Sequence, residues 1–356
     1  MSTPGNNRIA MFAYYSPTHL QHDPGQLPQP AGASQAYYSE VPARAEIIRA
    51  ALEESGLATI VTPADRGRES LQAVHTHALL DLLEHGYDDL MAVYRNASDR
   101  PLAAVPETYA VRTGDAPRTT SIWARLGWHC YDTSAPLFAG TWDALYWSAQ
   151  CALAAAAHVY DQAGVAYALC RPPGHHAGPD LYGGFCYVNN TAIAAHWLAA
   201  QRMRVAIVDI DYHHGNGTQE IFYRRDDVLT VSLHVDPDVD YPYYWGYAGE
   251  TGAGYGTGYN LNLPLPRRTD EEDYLAALQQ ALDRVHAYAP DILIVAVGFD
   301  TYIDDPVGGF RLTTAAYPRI AESLAGLRKP TIIVQEGGYA RDALAANATA
   351  FLAPFA

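Results

Sequence analysis

Lysine is nearly absent from this 356-residue chain: of 23 basic residues only Lys329 is not arginine, against 39 acidic residues and a formal net charge of −16. The arginine bias reads as genomic base composition. The acidic balance has physical consequences, because such a surface repels phosphate backbones and anionic bilayers and attracts cations. Nucleic-acid binding and membrane binding are therefore set aside. Cysteine is scarce too. The four present (Cys130, Cys151, Cys170 and Cys186) form no CxxC pair and no disulfide framework, so a reducing compartment is expected. No uncharged apolar run reaches 18 residues; the best, residues 147–159, is short and alanine-rich. Residues 1–13 hold one arginine and no apolar run ending in a cleavage signature, so a soluble cytoplasmic protein is expected. Charged residues make up only 17% and hydrophobic ones 49%, enough for a large buried core and too apolar for global disorder.

What is abundant is alternation. Short runs rich in Val, Ile and Ala fall at 9–13, 58–61, 165–169, 205–208, 228–233, 292–297 and 331–334. Between them, residues 43–54, 141–161, 190–201, 271–288 and 314–327 have helical periodicity. Continuous apolar strands alternating with helices predict an α/β fold: one domain, with a central, mostly parallel sheet covered by helices on both faces. Residues 86–136 stand apart as polar, rich in Pro and Gly and weakly periodic, and read as an insertion that shapes a tunnel or an oligomer contact. The glycine-rich stretch 252–258 imitates a dinucleotide loop. It follows no clear strand and leads into an extended segment rather than a helix, so it is read as a plain loop.

Ligands of open parallel sheets bind beyond the carboxyl ends of the strands. Those ends carry chemistry here: Arg171-Pro-Pro-Gly-His175-His176, then Asp209-Ile-Asp211-Tyr-His213-His214, then His234 and Asp236, then Asp300, then Glu336-Gly-Gly-Tyr339. Asp211 and His213, two apart past a strand, can face one point with Asp300 from another strand end. Two carboxylates and one imidazole suit a divalent metal with open positions. Zinc and ferrous iron both accept that set. A bound metal acidifies water and polarises a carbonyl. His175 and His176 supply a general base and a general acid, and Tyr339 a donor to a developing oxyanion. Together these residues describe amide hydrolysis. Asp209 stays open between metal ligand, potassium partner and orienter of His175.

At these residues the chain resembles the zinc-dependent histone deacetylase family. The likeness rests on residues 171–190 (RPPGHHAGPDLYGGFCYVNN), on 205–222 (VAIVDIDYHHGNGTQEIF), and on Gly298-Phe-Asp300 with Glu336 to Tyr339; it runs from about residue 43 to 339. The resemblance implies the arginase/deacetylase fold, with Asp211, His213 and Asp300 as zinc ligands. It also implies His175 and His176 as the tandem histidines, His176 being the base, and Tyr339 as the catalytic tyrosine. A structural potassium ion is implied near Asp209, with Ser232 and the backbone carbonyls of Asp211, His213 and Leu233. Within the family the chain is most similar to the bacterial acetylpolyamine amidohydrolases. That branch implies a homodimer and a small, cationic acetylated amine as substrate. Phe185 and Tyr241 would line the tunnel, Gly184 would let the backbone approach, and Asp132 would orient the amide nitrogen. A carboxylate is expected in the insertion to meet a distal ammonium, but Trp123 stands at that place, leaving Glu107 and Glu40 as substitutes.

Three rival readings follow. A protein or peptide acyl-lysine deacetylase needs the same metal core. An arginase-like ureohydrolase needs ligands for two manganese ions, and the tandem histidines after Arg-Pro-Pro-Gly argue against it. A scaffold that kept the fold without catalysis would have lost a ligand, a histidine or the tyrosine, and none is missing.

Overall fold

The expected alternation of strands and helices closes into one sheet. The structure, a computed structural model, describes residues 11–28, 38–112 and 120–356. Its eight strands are β1 (Met11–Tyr14), β2 (Ala58–Val61), β3 (Val165–Ala168), β4 (Val205–Asp209), β5 (Val228–Val235), β6 (Asn260–Leu265), β7 (Ile292–Val297) and β8 (Thr331–Gln335). They pair in the order β2-β1-β3-β8-β7-β4-β5-β6, and every pairing is parallel. The helices are α1 (Ala43–Ser55), α2 (Glu69–Gln72), α3 (His77–Val93), α4 (Ile122–His129), α5 (Thr141–Gln162), α6 (Asn190–Ala200), α7 (Asn216–Phe222), α8 (Glu271–Tyr288), α9 (Ala316–Ala325) and α10 (Arg341–Leu352).

Strand side chains alternate between faces, so a sheet covered on both sides needs apolar residues at every position. In β7, Leu293, Val295 and Val297 join a core built with α1, α8, α9 and α10. Ile292 and Ile294 of the same strand join a second core, built with α3, α4, α5 and α6. β4 divides the same way, with Ala206 and Val208 on one face and Val205 and Ile207 on the other. Helix starts are set locally. Thr76, Asn189 and Asp270 each accept a backbone N–H from the first turn of α3, α6 and α8.

Three differences from the sequence reading have physical causes. The strand expected at 9–13 appears as Met11–Tyr14; residues 9 and 10 lie outside the described residues. The stretch after the glycine-rich loop, expected only to be extended, is β6, which registers against β5 through pairs such as Thr230 with Asn260. The polar segment 86–136 is more helical than its composition suggests, since α3 continues through it to Val93 and α4 lies within it. Gly86 masks that helix in the sequence. A Cβ there would stand 2.8 Å from Leu82 Cδ1, so the glycine permits close packing. Residues 113–119 of the segment lie outside the described residues. Among the described residues no helix is long and apolar enough to cross a membrane.

Within the sheet, β3, β8, β7 and β4 are contiguous, so four strand ends rich in reactive side chains open side by side. Ile294, fully buried near the middle of β7, tests how much the sheet interior contributes. Ile294→Ala is expected to cost about 2–5 kcal/mol, read as a lower urea midpoint at unchanged m-value.

Candidate active site

Asp211 and His213 lie in the turn after β4, and Asp300 lies in the turn after the neighbouring β7. One ligand atom from each falls within 4.8 Å of the others. His213 Nδ1 is 3.3 Å from Asp211 Oδ1 and 3.1 Å from Asp300 Oδ2. Backbone N–H groups fix both carboxylates: Gly337 donates to Asp211 Oδ2 at 2.8 Å, and Tyr212 to Asp300 Oδ1 at 3.1 Å. The space beside them is reserved by glycine. A Cβ on Gly298 would sit 2.0 Å from Asp211 Oδ2, and one on Gly337 2.4 Å from Asp300 Oδ2. All three residues are buried. Burial, reinforced by the Asp211 charge, pushes the Asp300 carboxyl up to about 7. Burial also opposes ionisation of Asp211, but His175 and His213 overcome it and hold that carboxyl below its usual range. Two buried carboxylates facing each other are costly without positive charge between them. The residues therefore fit a divalent cation in both donor chemistry and electrostatics.

The tandem histidines have been driven apart. His175 Nδ1 lies 3.0 Å from Asp209 Oδ2, and His176 Nδ1 lies 2.7 Å from Asn216 Oδ1. Burial lowers both, but at His175 the Asp211 and Asp209 carboxylates prevail and raise it to about 10. At His176 burial dominates, and the neighbouring His175 and His213 push it further, well below the usual imidazole value. His176 is thus neutral. Its Nδ1–H is donated to Asn216, which leaves Nε2 as the basic nitrogen. His176 lines a cavity of about 400 Å³ and His175 does not.

Tyr339 lines the same cavity, and burial holds its phenol well above the usual value, so it remains a hydrogen-bond donor. Its loop is gripped from two sides. Arg44 of α1 donates from Nε to the Gly338 carbonyl at 2.6 Å and from Nη2 to the Glu336 carbonyl at 2.7 Å. The same guanidinium lies 4.4 Å over the Tyr339 ring. Opposite, Asp305 Oδ2 accepts the N–H groups of Tyr339 at 2.6 Å and Ala340 at 2.8 Å. Sequence reasoning missed both Arg44 and Asp305. An Asp-Pro turn five residues after Asp300 was a signal for Asp305; nothing local marks Arg44.

Phe185, Gly184, Tyr241 and Asp132 all border the cavity. The Phe185 ring meets Tyr339 at 5.6 Å, and the Tyr241 ring meets His176 at 5.0 Å. Gly184 has φ +57°, and a Cβ there would press on His176 and on the Tyr241 hydroxyl. Glu107 and Glu40 are not brought to the cavity. Glu107 is exposed elsewhere. Glu40, expected as an anchor for an ammonium, is fully buried instead, its Oε1 accepting from Arg44 at 2.9 Å and Arg171 at 2.8 Å. Two buried arginines need that carboxylate more than a ligand does. Trp123 packs on the core beneath the insertion, its ring 6.3 Å from Tyr94.

Asp209 and Ser232 are register partners on β4 and β5. Asp209 accepts the Asp211 N–H at 3.1 Å as well as facing His175. Both residues border a small cavity of about 10 Å³, together with His214, whose Nδ1 is buried with no hydrogen-bond partner. Among the described residues a second group with metal-binding chemistry is His175, Cys186 and Glu336. Glu336 is already engaged there by the N–H groups of Gly174 and His175 and the Thr191 hydroxyl, and burial pushes the Cys186 thiol up, keeping it protonated.

Residues 38–355 match the sequence profile of the histone deacetylase domain. The chain belongs to the histone deacetylase family. Within that family it is 45% identical to acetylpolyamine amidohydrolase 1 of Pseudomonas aeruginosa, over 95% of this chain and 96% of the relative. It superposes on the crystal structure of an acetylpolyamine aminohydrolase from Burkholderia pseudomallei with a TM-score of 0.89 at 42% identity, covering 97% of this chain and 98% of that one. Histone deacetylase 8 of Arabidopsis thaliana is 40% identical over 56% of each chain. This histone deacetylase-family chain is accordingly a deacetylase-type amidohydrolase.

Two outcomes are expected from the geometry. Gly298→Ala should abolish stoichiometric metal binding, measured by metal analysis after dialysis, while far-UV circular dichroism is retained. Glu40→Ala leaves two buried guanidiniums facing each other and should cost about 3–5 kcal/mol, read as a lowered urea midpoint, with Glu40→Gln recovering part of the loss.

Proposed function

We propose that this enzyme removes acetyl groups from acetylated polyamines or similar small acetylated amines, releasing acetate. The observation that carries the reading is the near-full-length similarity to acetylpolyamine amidohydrolases, set against a partial match to a plant histone deacetylase. Asp211, His213 and Asp300 would hold zinc, or ferrous iron, which when bound supplies Lewis acidity to the substrate carbonyl and acidifies water. The protein's own groups do the rest. His176, neutral and aligned by Asn216, takes a proton from the attacking water at Nε2 as the new C–O bond forms. Tyr339 donates a hydrogen bond to the carbonyl oxygen as it becomes negative. When the C–N bond breaks, the proton on His176 passes to the leaving nitrogen. His175, charged and held by Asp209, adds positive potential beneath this chemistry. Arg44 and Asp305 keep the tyrosine loop from drifting. Phe185 and Tyr241 form the aromatic walls for a methylene chain, and Asp132, expected to orient the amide nitrogen, instead holds that wall by accepting from the Gly184 N–H and the Tyr241 hydroxyl.

We assign a structural potassium ion to Asp209 and Ser232 with the carbonyls of Asp211, His213 and Leu233; the register pairing of Asp209 with Ser232 and the small cavity beside them support it. We also assign a cytoplasmic location, which four unpaired cysteines suit, and a homodimer formed through the insertion. Val93, Leu102 and Val111 leave apolar surface exposed in that segment.

Steady-state comparison of N-acetylputrescine, N-acetylcadaverine and an acetyl-lysine peptide on zinc-loaded enzyme should give the higher kcat/KM for the diamines; preference for the peptide would replace this reading with protein deacetylation. Tyr339→Phe and His176→Ala should each lower kcat by about 10²-fold or more with circular dichroism unchanged. Turnover that survives both substitutions would remove these roles.

A further inference from the structure

Accepting the polyamine reading, the cavity still needs a group that distinguishes a cationic chain end from a neutral one, and none of the three expected positions provides it: Trp123 packs against the core, Glu40 is neutralised by two arginines, and Glu107 lies outside. Among the described residues two carboxylates border the cavity, Asp132 and Asp240. An ionised carboxylate offers about four acceptor directions. Asp132 has used all four. Its Oδ1 accepts from the Ser134 N–H at 2.9 Å and the Ser134 hydroxyl at 2.8 Å, and its Oδ2 from the Gly184 N–H and the Tyr241 hydroxyl, both at 2.8 Å. Its task is to hold the Gly184–Phe185 turn and the Tyr241 ring.

Asp240 is differently placed. Among the described residues, Oδ1 accepts only the Tyr241 N–H, at 3.0 Å, and Oδ2 accepts the Tyr212 hydroxyl at 2.8 Å. The one cation near it among the described residues, Arg267, stands 3.4 Å away on a side chain that is 58% exposed, a loose and solvent-screened pairing. Beside it Tyr243 lies at the cavity edge, half exposed, with its ring 6.5 Å from that of Tyr241. Tyr243 adopts φ +64°, a region that bulky side chains avoid, so the surrounding loop holds it in place. A carboxylate with an open acceptor direction next to an aromatic ring is the chemistry that receives an alkylammonium.

We infer that Asp240, with the Tyr243 ring beside it, is the specificity-determining site for the distal ammonium of the substrate, taking over the task for which Trp123, Glu40 and Glu107 are not placed. Arg267 competes for the same carboxylate and tempers the preference.

The test compares N-acetylputrescine with N-pentylacetamide, which has the same chain length and no charge, on the zinc-loaded wild type and on Asp240→Asn, Arg267→Ala and Asp132→Asn. The readout is the ratio of kcat/KM for the charged over the neutral amide, because damage transmitted through Tyr212 to the metal loop would lower both substrates together. Wild type is expected to favour the cation. Asp240→Asn should lower the ratio at least tenfold, chiefly through KM, and Arg267→Ala should raise it. Asp132→Asn should lower both substrates and leave the ratio in place. An unchanged ratio in Asp240→Asn, or a collapse in Asp132→Asn alone, overturns the assignment while the polyamine reading stands. A wild type with no preference for the cation overturns both.

Discussion

Buried negative charge is the constraint around which this structure is arranged. Asp209, Asp211 and Asp300 all lie out of water at the ends of adjacent strands. Isolated carboxylates in such a place would be neutralised or expelled. Here they are held by backbone N–H groups, by histidines, and by a geometry that invites a divalent cation. Glycine at 298 and 337 follows from the same demand, since any side chain there would displace a carboxylate oxygen.

The acid–base assignment grows out of that charge distribution. His175 and His176 are neighbours in sequence with rings 4.0 Å apart, yet one faces carboxylates and the other an amide. The first becomes a fixed cation, and its charge helps keep the second neutral. A general base has to be neutral to accept a proton, so in the proposed mechanism the pair would divide work that either residue alone would do poorly. A second electrostatic layer lies behind Tyr339, where Arg44 and Arg171 share the Oε1 oxygen of Glu40. That cluster couples the start of α1 to the tyrosine loop and makes the loop's position a property of the whole sheet edge.

Much of this was legible in the residues. The parallel sheet could be read because strands buried on both faces must be continuously apolar, and 292–297 and 58–61 appear where that pattern places them. The gathering of Asp211, His213 and Asp300 could be read because all three fall just past strand ends, and the fold brings one ligand atom of each within 4.8 Å of the others. What escaped was hidden by composition or by distance. Gly86 concealed the continuation of α3, and alternating polar residues concealed β6. Arg44 carries no local signal for its hold on the tyrosine loop, since the carbonyls it grips there lie almost 300 positions away. Glu40 and Glu107 were misplaced for a related reason: a carboxylate's partner is chosen by the fold, and sequence spacing does not reveal it.

The sequence by itself determined which elements form and which chemistry gathers at their ends, because strand and helix periodicity and the ligand preferences of metals are local properties of side chains. The tertiary structure alone decided which histidine is neutral, which carboxylate is saturated and which has a free acceptor direction, and what holds the tyrosine. Those outcomes depend on burial and on through-space Coulomb interaction, and both are fixed only when distant segments of the chain meet.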